Sequence, residues 1–446
     1  MSIAGPQPGG RYIVGDSQWE VGDRYTLIKL LGEGSFGEVC LAQDHQLGEK
    51  VALKKIPHVL KSHENAKRVL REICVLRRIF HPNIISLLDV FVHSSSSGPY
   101  KMIGGKLRSS SLDVYISMEY AEGGDLYSMR GQLTEGEVAQ LMAQLLETVN
   151  FLHGMKIIHR DMKSANLLLG RHSRVIKICD FGLARIIIPG EDDDGDADSS
   201  EATEAPDTPH NRHSNTAVNP DGLTRHLTGK VCTPCYRAPE VVMGQDSGSY
   251  STAIDIWACG CIFGELLQRQ IVSAGGIAPR LQVQPLFRLT GDVRTPSLTQ
   301  EMYISSADLN KNVHLELKTI FDVIGNPSWH DINSISGTNW RHYLQKLPGT
   351  PSSLYRRFHA CSQEAVDLLH RMLTFNHLSR CSAEEALSHV FFDSFKALRQ
   401  EMFQPSGTSG GDCRLSYVET ILADHPLDPT HPAHNTVETH PPPMKR

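Results

Sequence analysis

A glycine-rich turn near the amino terminus, Gly32-Glu33-Gly34-Ser35-Phe36-Gly37, is the first group of residues that could do chemistry. Glycines at this spacing let the backbone approach phosphate groups closely, because they carry no Cβ. The same pattern occurs at dinucleotide sites, but there a helix follows the glycines and an acidic residue lies about 20 residues further on. Here the next residues, EVCLAQ, form a short β-like run that predicts a strand, and a turn and another strand follow. We therefore interpret the segment as a glycine-rich hairpin over a nucleotide.

Lys54 lies in the next predicted strand, within the sequence VALKK. A lysine in an apolar strand is costly to bury unless it is paired. The following predicted helix, 63–80, has an apolar stripe that consists of Ala66, Val69, Leu70, Ile73, Leu76 and Phe80. Glu72 lies on or beside that stripe and is the natural partner of Lys54. The alternative is a surface lysine and a surface glutamate on two amphipathic elements, and these two residues alone do not decide the matter.

Four later motifs follow in a fixed order. They are His159-Arg160-Asp161-Met162-Lys163-Ser164-Ala165-Asn166, then Asp180-Phe181-Gly182, then Ala238-Pro239-Glu240, and then Asp255-Ile256-Trp257. Their order and spacing resemble the eukaryotic protein kinases. The resemblance covers about 25–395, and chance agreement of so many separated motifs is negligible.

The resemblance implies an ATP and Mg²⁺ site, and phosphoryl transfer depends on such positioning and charge neutralisation. The residues of the glycine-rich turn would cover the phosphates. Lys54 would contact the α- and β-phosphates, and Glu72 would orient it. Asn166 and Asp180 would hold Mg²⁺.

The resemblance also assigns the groups that act on the substrate hydroxyl. Asp161 would accept or orient the hydroxyl proton, and Lys163 would stabilise the transferring phosphate. Thr233 would bridge to Asp161. A lysine at position 163 resembles the serine/threonine group of kinases rather than the tyrosine group.

An adenine pocket and a scaffold pair complete the implied set. Val39, Ala52 and Leu168 would enclose the adenine; Glu119 and Ala121 would form the hinge that hydrogen-bonds it, behind a gatekeeper, Met118. Arg380 would pair with Glu240 as part of the scaffold.

Several segments narrow the resemblance. HPNII, GCIFGELL and PLF are similar to the group that contains cyclin-dependent and mitogen-activated protein kinases, and IFDVIGNP and RMLTFN are similar to the mitogen-activated branch. The chain is therefore interpreted as a serine/threonine kinase of that branch, in a phosphorylation signalling cascade. It is expected to phosphorylate serine or threonine followed by proline in protein substrates, and to be activated by an upstream kinase. The alternatives are a cyclin-dependent-like kinase that needs a partner subunit, and a pseudokinase that binds partners without catalysis.

The activation segment departs from that branch. The Thr-x-Tyr motif of the family is Thr228-Gly229-Lys230 here, and Pro234 and Cys235 replace the family's arginine and tryptophan. We predict that Thr228 is the main activating phosphosite, with Thr224 as the competing acceptor.

The elements that must position these residues predict an α+β, bilobal fold. A small β-rich N-lobe (about 25–120) would precede a larger helical C-lobe (about 121–395). The predicted insertions are 94–111, 190–226 and 271–310, the second of them a solvated acidic loop. Residues 1–24 are predicted to be flexible, and 396–446 to be a largely disordered tail.

Composition excludes some classes of protein. The chain has 446 residues and a formal net charge of −6, which argues against a general nucleic-acid binder. It has no apolar run of membrane-spanning length and no export signal, and its ten cysteines are typical of free thiols in a reducing compartment. We predict a monomer, cytoplasmic or nuclear, without nucleic-acid or membrane partners.

Overall fold

The computed structural model describes residues 3–34, 37–95, 100–103, 106–109, 111–170, 175–187, 217–218, 224–225, 233–244, 251–271, 283–288, 306–335 and 337–395. The strands are β1 (Ile3–Gln7), β2 (Arg11–Val14), β3 (Ser17–Glu20), β4 (Tyr25–Gly34), β5 (Gly37–Asp44), β6 (Lys50–Ile56), β7 (Leu87–Ser94), β8 (Tyr100–Ile103), β9 (Lys106–Ser109), β10 (Leu112–Glu119), β11 (Ile157–Ile158), β12 (Leu167–Leu169), β13 (Ile176–Ile178), β14 (Arg185–Ile186), β15 (Ala217–Val218) and β16 (Thr224–Arg225). The helices are α1 (His63–Arg78), α2 (Glu135–Gly154), α3 (Pro239–Met243), α4 (Ala253–Ile271), α5 (Ser306–Ile324), α6 (Trp329–Ser334), α7 (Thr338–Gln345), α8 (Leu354–Arg357), α9 (Gln363–Met372) and α10 (Ala383–Leu387).

A five-stranded antiparallel sheet, in the order β4-β5-β6-β10-β7, forms the N-lobe. Its strands carry buried apolar residues on both faces, because both faces are covered. Ile56, Val114 and Ile116 belong to the main hydrophobic cluster, whereas Leu53 and Tyr115 belong to a second cluster. The predicted bilobal α+β fold is confirmed.

Helix α1 is capped at its N-terminus by Ser62, whose side chain accepts a hydrogen bond from the backbone N–H of Asn65. The buried residues of α1 include Glu72 and Val75, whereas Leu70 is 61% exposed. The predicted helix is present. Of its predicted apolar stripe, Val69 and Leu76 are buried, whereas Leu70 and Phe80 are exposed. Periodicity placed the apolar residues on one face, and the buried face is the one that carries Glu72 to the sheet.

The prediction that residues 1–24 are flexible was wrong. Strands β1, β2 and β3 form an antiparallel sheet, and Tyr12 and Trp19 are buried in the second cluster. The segment is poor in apolar residues, so it could not form a core alone. It is ordered because its alternating Tyr12/Val14 and Trp19/Val21 pairs pack against the N-lobe.

The prediction of a polar loop at 94–111 needs correction, because β8 and β9 pair as a hairpin within it. The insertion predicted at 271–310 overlaps helices at both ends: α4 extends to Ile271 and α5 begins at Ser306. Between them, Phe287 is buried and stacks on Trp257 with ring centroids 5.3 Å apart. The acidic segment 190–226 lies outside the described residues except for β15 and β16.

The C-lobe is built around α2 and α4, which pack on each other with buried faces. Helix α2 begins with a capping box between Thr134 and Glu137, in which each side chain accepts the backbone N–H of the other residue. Contacts divide the chain into 1–396 and 397–446, and the second unit, which includes nearly all of the predicted tail, lies outside the described residues. Within the described residues no helix is long and apolar enough to cross a membrane.

Candidate active site

The glycine-rich turn joins β4 to β5, where Gly34 pairs with Gly37. Ser35 and Phe36, between them, lie outside the described residues. Gly37 has φ +138°, and a Cβ there would lie 2.1 Å from the carbonyl oxygen of Lys55. Gly37 therefore has to be glycine for β5 to pack against β6. A Cβ on Gly32 would meet open space, which is compatible with its predicted place over a ligand.

Lys54 on β6 and Glu72 on α1 form a buried ion pair. The Lys54 Nζ donates to both carboxylate oxygens of Glu72 at 2.8 Å. Burial disfavours the charged form of Lys54, but the carboxylates of Glu72 and Asp180 outweigh it and raise the pKa of the lysine above its usual range. The ammonium group is therefore a fixed positive charge beside Asp180.

Strand register explains how the predicted adenine pocket is assembled. Val39 pairs with Lys54, and Ala52 pairs with both Leu41 and Met118. Because paired residues of antiparallel strands lie on the same face, Val39, Ala52 and Met118 share the face of Lys54. Leu168, on β12 of the other lobe, packs against the main cluster.

The predicted hinge lies at the end of β10, whose last residue is Glu119. The backbone N–H of Glu119 donates to the carbonyl of Ser86 at 3.0 Å, and the Glu119 side chain pairs with Lys177 at 2.9 Å. Glu119 is thus held from both sides, and Ala121 packs beside the main cluster. The contacts anchor the connection between the two lobes at the predicted pocket.

Asp161 lies at the centre of a hydrogen-bonded group in the catalytic segment. Lys163 Nζ donates to its Oδ2 at 2.6 Å, and the Thr233 hydroxyl donates to its Oδ1 at 3.0 Å. Lys163 Nζ also donates to the Thr233 hydroxyl at 3.2 Å. These three residues, 72 positions apart at the extremes, are brought together, and the contact of Thr233 with Asp161 is the one that the resemblance implied.

Asn166 and Asp180 are the predicted Mg²⁺ ligands. The Asn166 side-chain N–H₂ donates to the backbone carbonyl of Asp161 at 2.8 Å, so the amide oxygen is the atom available for a cation. Burial alone would raise the pKa of Asp180, but Lys54 and Lys163 outweigh it and hold the pKa below its usual range. An amide oxygen and an ionised carboxylate are donors that Mg²⁺ prefers, so the residues fit the ion.

Asp180 is also held in an uncommon backbone conformation. Its φ is +64°, in the left-handed region that non-glycine residues seldom adopt. The next residue, Phe181, is fully buried and lies edge-on to His159 at 4.8 Å. Arg71, beside Glu72 on α1, donates to the carbonyl of Gly182 at 3.1 Å. The segment that carries Asp180 is therefore anchored to both lobes.

Asp255 organises the catalytic segment, a role that sequence reasoning did not assign to it. Its carboxylate accepts the backbone N–H groups of His159 and Arg160 at 2.9 Å each, and the ring of His153 at 3.0 Å. Burial would raise the pKa of Asp255, but these donors lower it below its usual range. The carboxylate therefore stays ionised and fixes the backbone just before Asp161.

His159 carries its proton on a defined nitrogen. Its Nε2 lies 3.2 Å from the carbonyl of Cys179, which can only accept, so Nε2 is the donor. Its Nδ1 accepts the backbone N–H of Asp161 at 3.3 Å. The ring thereby connects the strand before Asp180 with the segment that carries Asp161.

Two buried contacts support the segment after Thr233. Arg380 pairs with Glu240 at 2.7 and 2.9 Å, as the sequence predicted. The hydroxyl of Tyr236 donates to Glu265 at 2.6 Å and is in contact with Ser164 at 2.9 Å. The second contact was not predicted, because nothing in the sequence marks Glu265 as the partner of Tyr236.

Comparisons with known proteins agree with this arrangement. The family model described as "Protein kinase domain" matches residues 25–392. Extracellular signal-regulated kinase 1 of Dictyostelium discoideum is 31% identical over 434 residues, covering 94% of this chain and 66% of that protein. Mitogen-activated protein kinase 5 of Oryza sativa subsp. indica is 31% identical over 400 residues, 88% of this chain and 86% of that protein. Mitogen-activated protein kinase spk1 of Schizosaccharomyces pombe is 32% identical over 383 residues, 85% and 81% of the two chains.

Proposed function

We propose that this chain, which belongs to the protein kinase family, transfers the γ-phosphate of ATP to protein substrates after activation by an upstream kinase. It is a serine/threonine kinase of the mitogen-activated type. The observation that carries the proposal is the assembled site. Lys54 and Glu72 form an ion pair, and Asp161 accepts hydrogen bonds from Lys163 and Thr233. The relatives do not favour the cyclin-dependent-like alternative.

The side chains of this site would divide the work of phosphoryl transfer. Lys54 would neutralise charge on the phosphates, and Asp161 would orient the substrate hydroxyl and take its proton. Lys163 would bind the transferring phosphate, because its Nζ already lies between Asp161 and Thr233. Mg²⁺, when bound by Asn166 and Asp180, would supply further charge neutralisation.

The proposal is tested by incubating the purified protein with labelled ATP, Mg²⁺ and a basic test protein. Asp161→Asn removes the charge and one acceptor, and general-base loss predicts a fall of about 10²–10⁴ in turnover. Asp322→Asn is the matched control, since Asp322 is exposed and pairs with Lys318 in α5. Equal turnover of the Asp161 variant and the control would refute the assignment. Label transfer absent from the wild type, despite ATP binding, would favour the pseudokinase alternative.

A peptide library should show about tenfold enrichment of proline directly after the phosphorylated residue. Any other residue there would bury one backbone N–H without a partner, and about tenfold is the usual effect of one such group. Arg237 is buried and pairs with Glu316 at 3.2 Å, so its guanidinium is held in place. In the family this arginine holds the backbone at the position that corresponds to Cys232, which lies outside the described residues. No carbonyl is then free to accept the backbone N–H of the substrate residue that follows the phosphorylated one. Proline has no such N–H and loses nothing. A library without enrichment would contradict the prediction.

Thr228→Ala should lower the turnover of the activated protein by roughly 10- to 100-fold, the effect of losing a phosphate's charge-assisted hydrogen bonds. Thr228 lies outside the described residues. Arg160, its expected receptor, is anchored beside Asp161 by a hydrogen bond from its Nε to the carbonyl of Leu183 at 2.7 Å. The affinity for ATP should stay unchanged, because the groups that bind the nucleotide lie elsewhere. The measurements are a phosphosite map, turnover and ATP titration; full activity of the variant would disprove the assignment.

A further inference from the structure

The outer face of the five-stranded sheet is covered by the N-terminal sheet, which consists of β1, β2 and β3. Outward residues of β5, β6 and β10, such as Cys40, Leu53 and Tyr115, are buried together with Tyr12 and Trp19 of this small sheet. Trp19 is 1% exposed and lies edge-on to Tyr115 at 5.8 Å. The N-terminal sheet is therefore part of the N-lobe and fills the side opposite Lys54.

Polar contacts tie the N-terminal sheet to particular strands. Trp19 Nε1–H donates to Glu38 Oε2 at 3.0 Å, and the backbone N–H of Glu20 donates to the Tyr115 hydroxyl at 3.0 Å. Lys55 donates to the Ser17 hydroxyl at 3.3 Å and to the carbonyl of Gln18, and pairs with Asp113 at 3.1 Å. The contact with Glu38 is the one that reaches the glycine-rich hairpin.

Glu38 occupies a sensitive place in that hairpin. It directly follows Gly37 and directly precedes Val39, whose side chain lies on the face of Lys54. It also pairs across the sheet with Lys55, the neighbour of Lys54. Because successive residues of a strand point to opposite faces, a bond to Glu38 from the outer side restrains the backbone that presents Val39 on the inner side.

We propose that Trp19 is a positioning residue for the glycine-rich hairpin: its indole N–H holds Glu38, so that the N-terminal sheet sets the affinity for ATP. The inference rests on the proposed function, because it takes the hairpin to cover the nucleotide. Trp19 touches neither the nucleotide nor the reacting atoms. Its contribution is to reduce the conformational freedom that ATP binding would otherwise have to restrict.

The test is Trp19→Phe, which keeps an aromatic ring and removes the N–H. We expect KM for ATP to rise about three- to tenfold. This is part of the free energy of a hydrogen bond to a charged group, because only part of that free energy is coupled to ATP binding. The turnover number and KM for the peptide substrate should stay unchanged. Tyr12→Phe is the matched control, since Tyr12 is buried in the same cluster and, within the part of the chain that the structure describes, forms no hydrogen bond with Glu38.

Variants of Glu38 separate a specific tether from general loosening. Glu38→Gln keeps an oxygen that can accept the indole N–H and should retain the wild-type KM for ATP. Glu38→Leu should match Trp19→Phe, and the double variant should be no worse than either single variant. An unchanged KM in Trp19→Phe, or an equal rise in Tyr12→Phe, would overturn the proposal.

Hydrogen exchange without nucleotide makes the result independent of activity. The backbone amides of 37–40 should exchange faster in Trp19→Phe than in the wild type or Tyr12→Phe. Equal exchange in all three proteins would overturn the tether. A wild-type protein that does not bind ATP would count against the proposed function, while the exchange rates would still decide whether Trp19 holds the hairpin.

Discussion

Replacing Lys54 with methionine should abolish phosphoryl transfer and also lower the free energy of unfolding by about 3–5 kcal/mol, the usual effect of removing one partner of a buried ion pair. Glu72 is 3% exposed and would be left as an unpaired buried carboxyl group. Asp180 would lose a positive charge that holds its pKa down, so its pKa would rise and its affinity for a cation would fall. The variant therefore loses both charge neutralisation of the phosphates and part of the contact between β6 and α1.

Turnover of labelled ATP and guanidinium denaturation measure the two effects separately. Asp180→Ala should also abolish transfer, because it removes the ionised cation ligand. Lys318→Met is the control for loss of a lysine, since Lys318 is exposed and pairs within one helix; it should change neither quantity. Wild-type turnover in the Lys54 variant would rule out the assigned role, and unchanged stability would show that Glu72 finds another partner or is protonated at little cost.

Replacing Arg380 with leucine should lower the free energy of unfolding by about 3–5 kcal/mol while the folded molecules keep their turnover. The Arg380 guanidinium is fully buried, donates to both oxygens of Glu240 and to the carbonyl of Ala253, and lies 5.1 Å from the ring centre of Trp257. Its loss leaves the Glu240 carboxylate buried without its partner.

This variant is the counterpart of the Lys54 variant, since it breaks a buried pair of the same kind at a distance from the reacting groups. Denaturation curves and turnover below the melting temperature are the measurements. The double variant Arg380→Leu/Glu240→Leu removes both charges and should recover part of the stability. Destabilisation below about 1 kcal/mol, the range of an exposed pair, would contradict the expected burial cost.

Most members of the candidate site could be predicted from the sequence, because the motifs that carry the resemblance to the protein kinases are short local stretches of residues. Lys54 in an apolar strand, the segment around Asp161 and the one around Asp180 were recognisable in this way. The strands of the N-lobe were also predictable, since short β-like apolar runs separated by turn residues indicate strands.

Other features depended on residues far apart in the chain. Trp19 and Tyr115 meet across the sheet, and neither position reveals the other, so the first 24 residues were predicted to be flexible. Periodicity likewise placed Leu70 of α1 inside, although it is 61% exposed, because the helix turns Glu72 toward Lys54.

The sequence by itself determined the chemical identities: which residues can carry positive charge to a phosphate, ionise beside a cation or orient a hydroxyl. Only the tertiary structure decided what holds them. Asp255 accepts the backbone N–H groups of His159 and Arg160, and Trp19 donates its indole N–H to Glu38. The physical reason is that a functional group is a property of one residue, whereas its position results from burial and hydrogen bonds between elements that the chain order leaves unspecified.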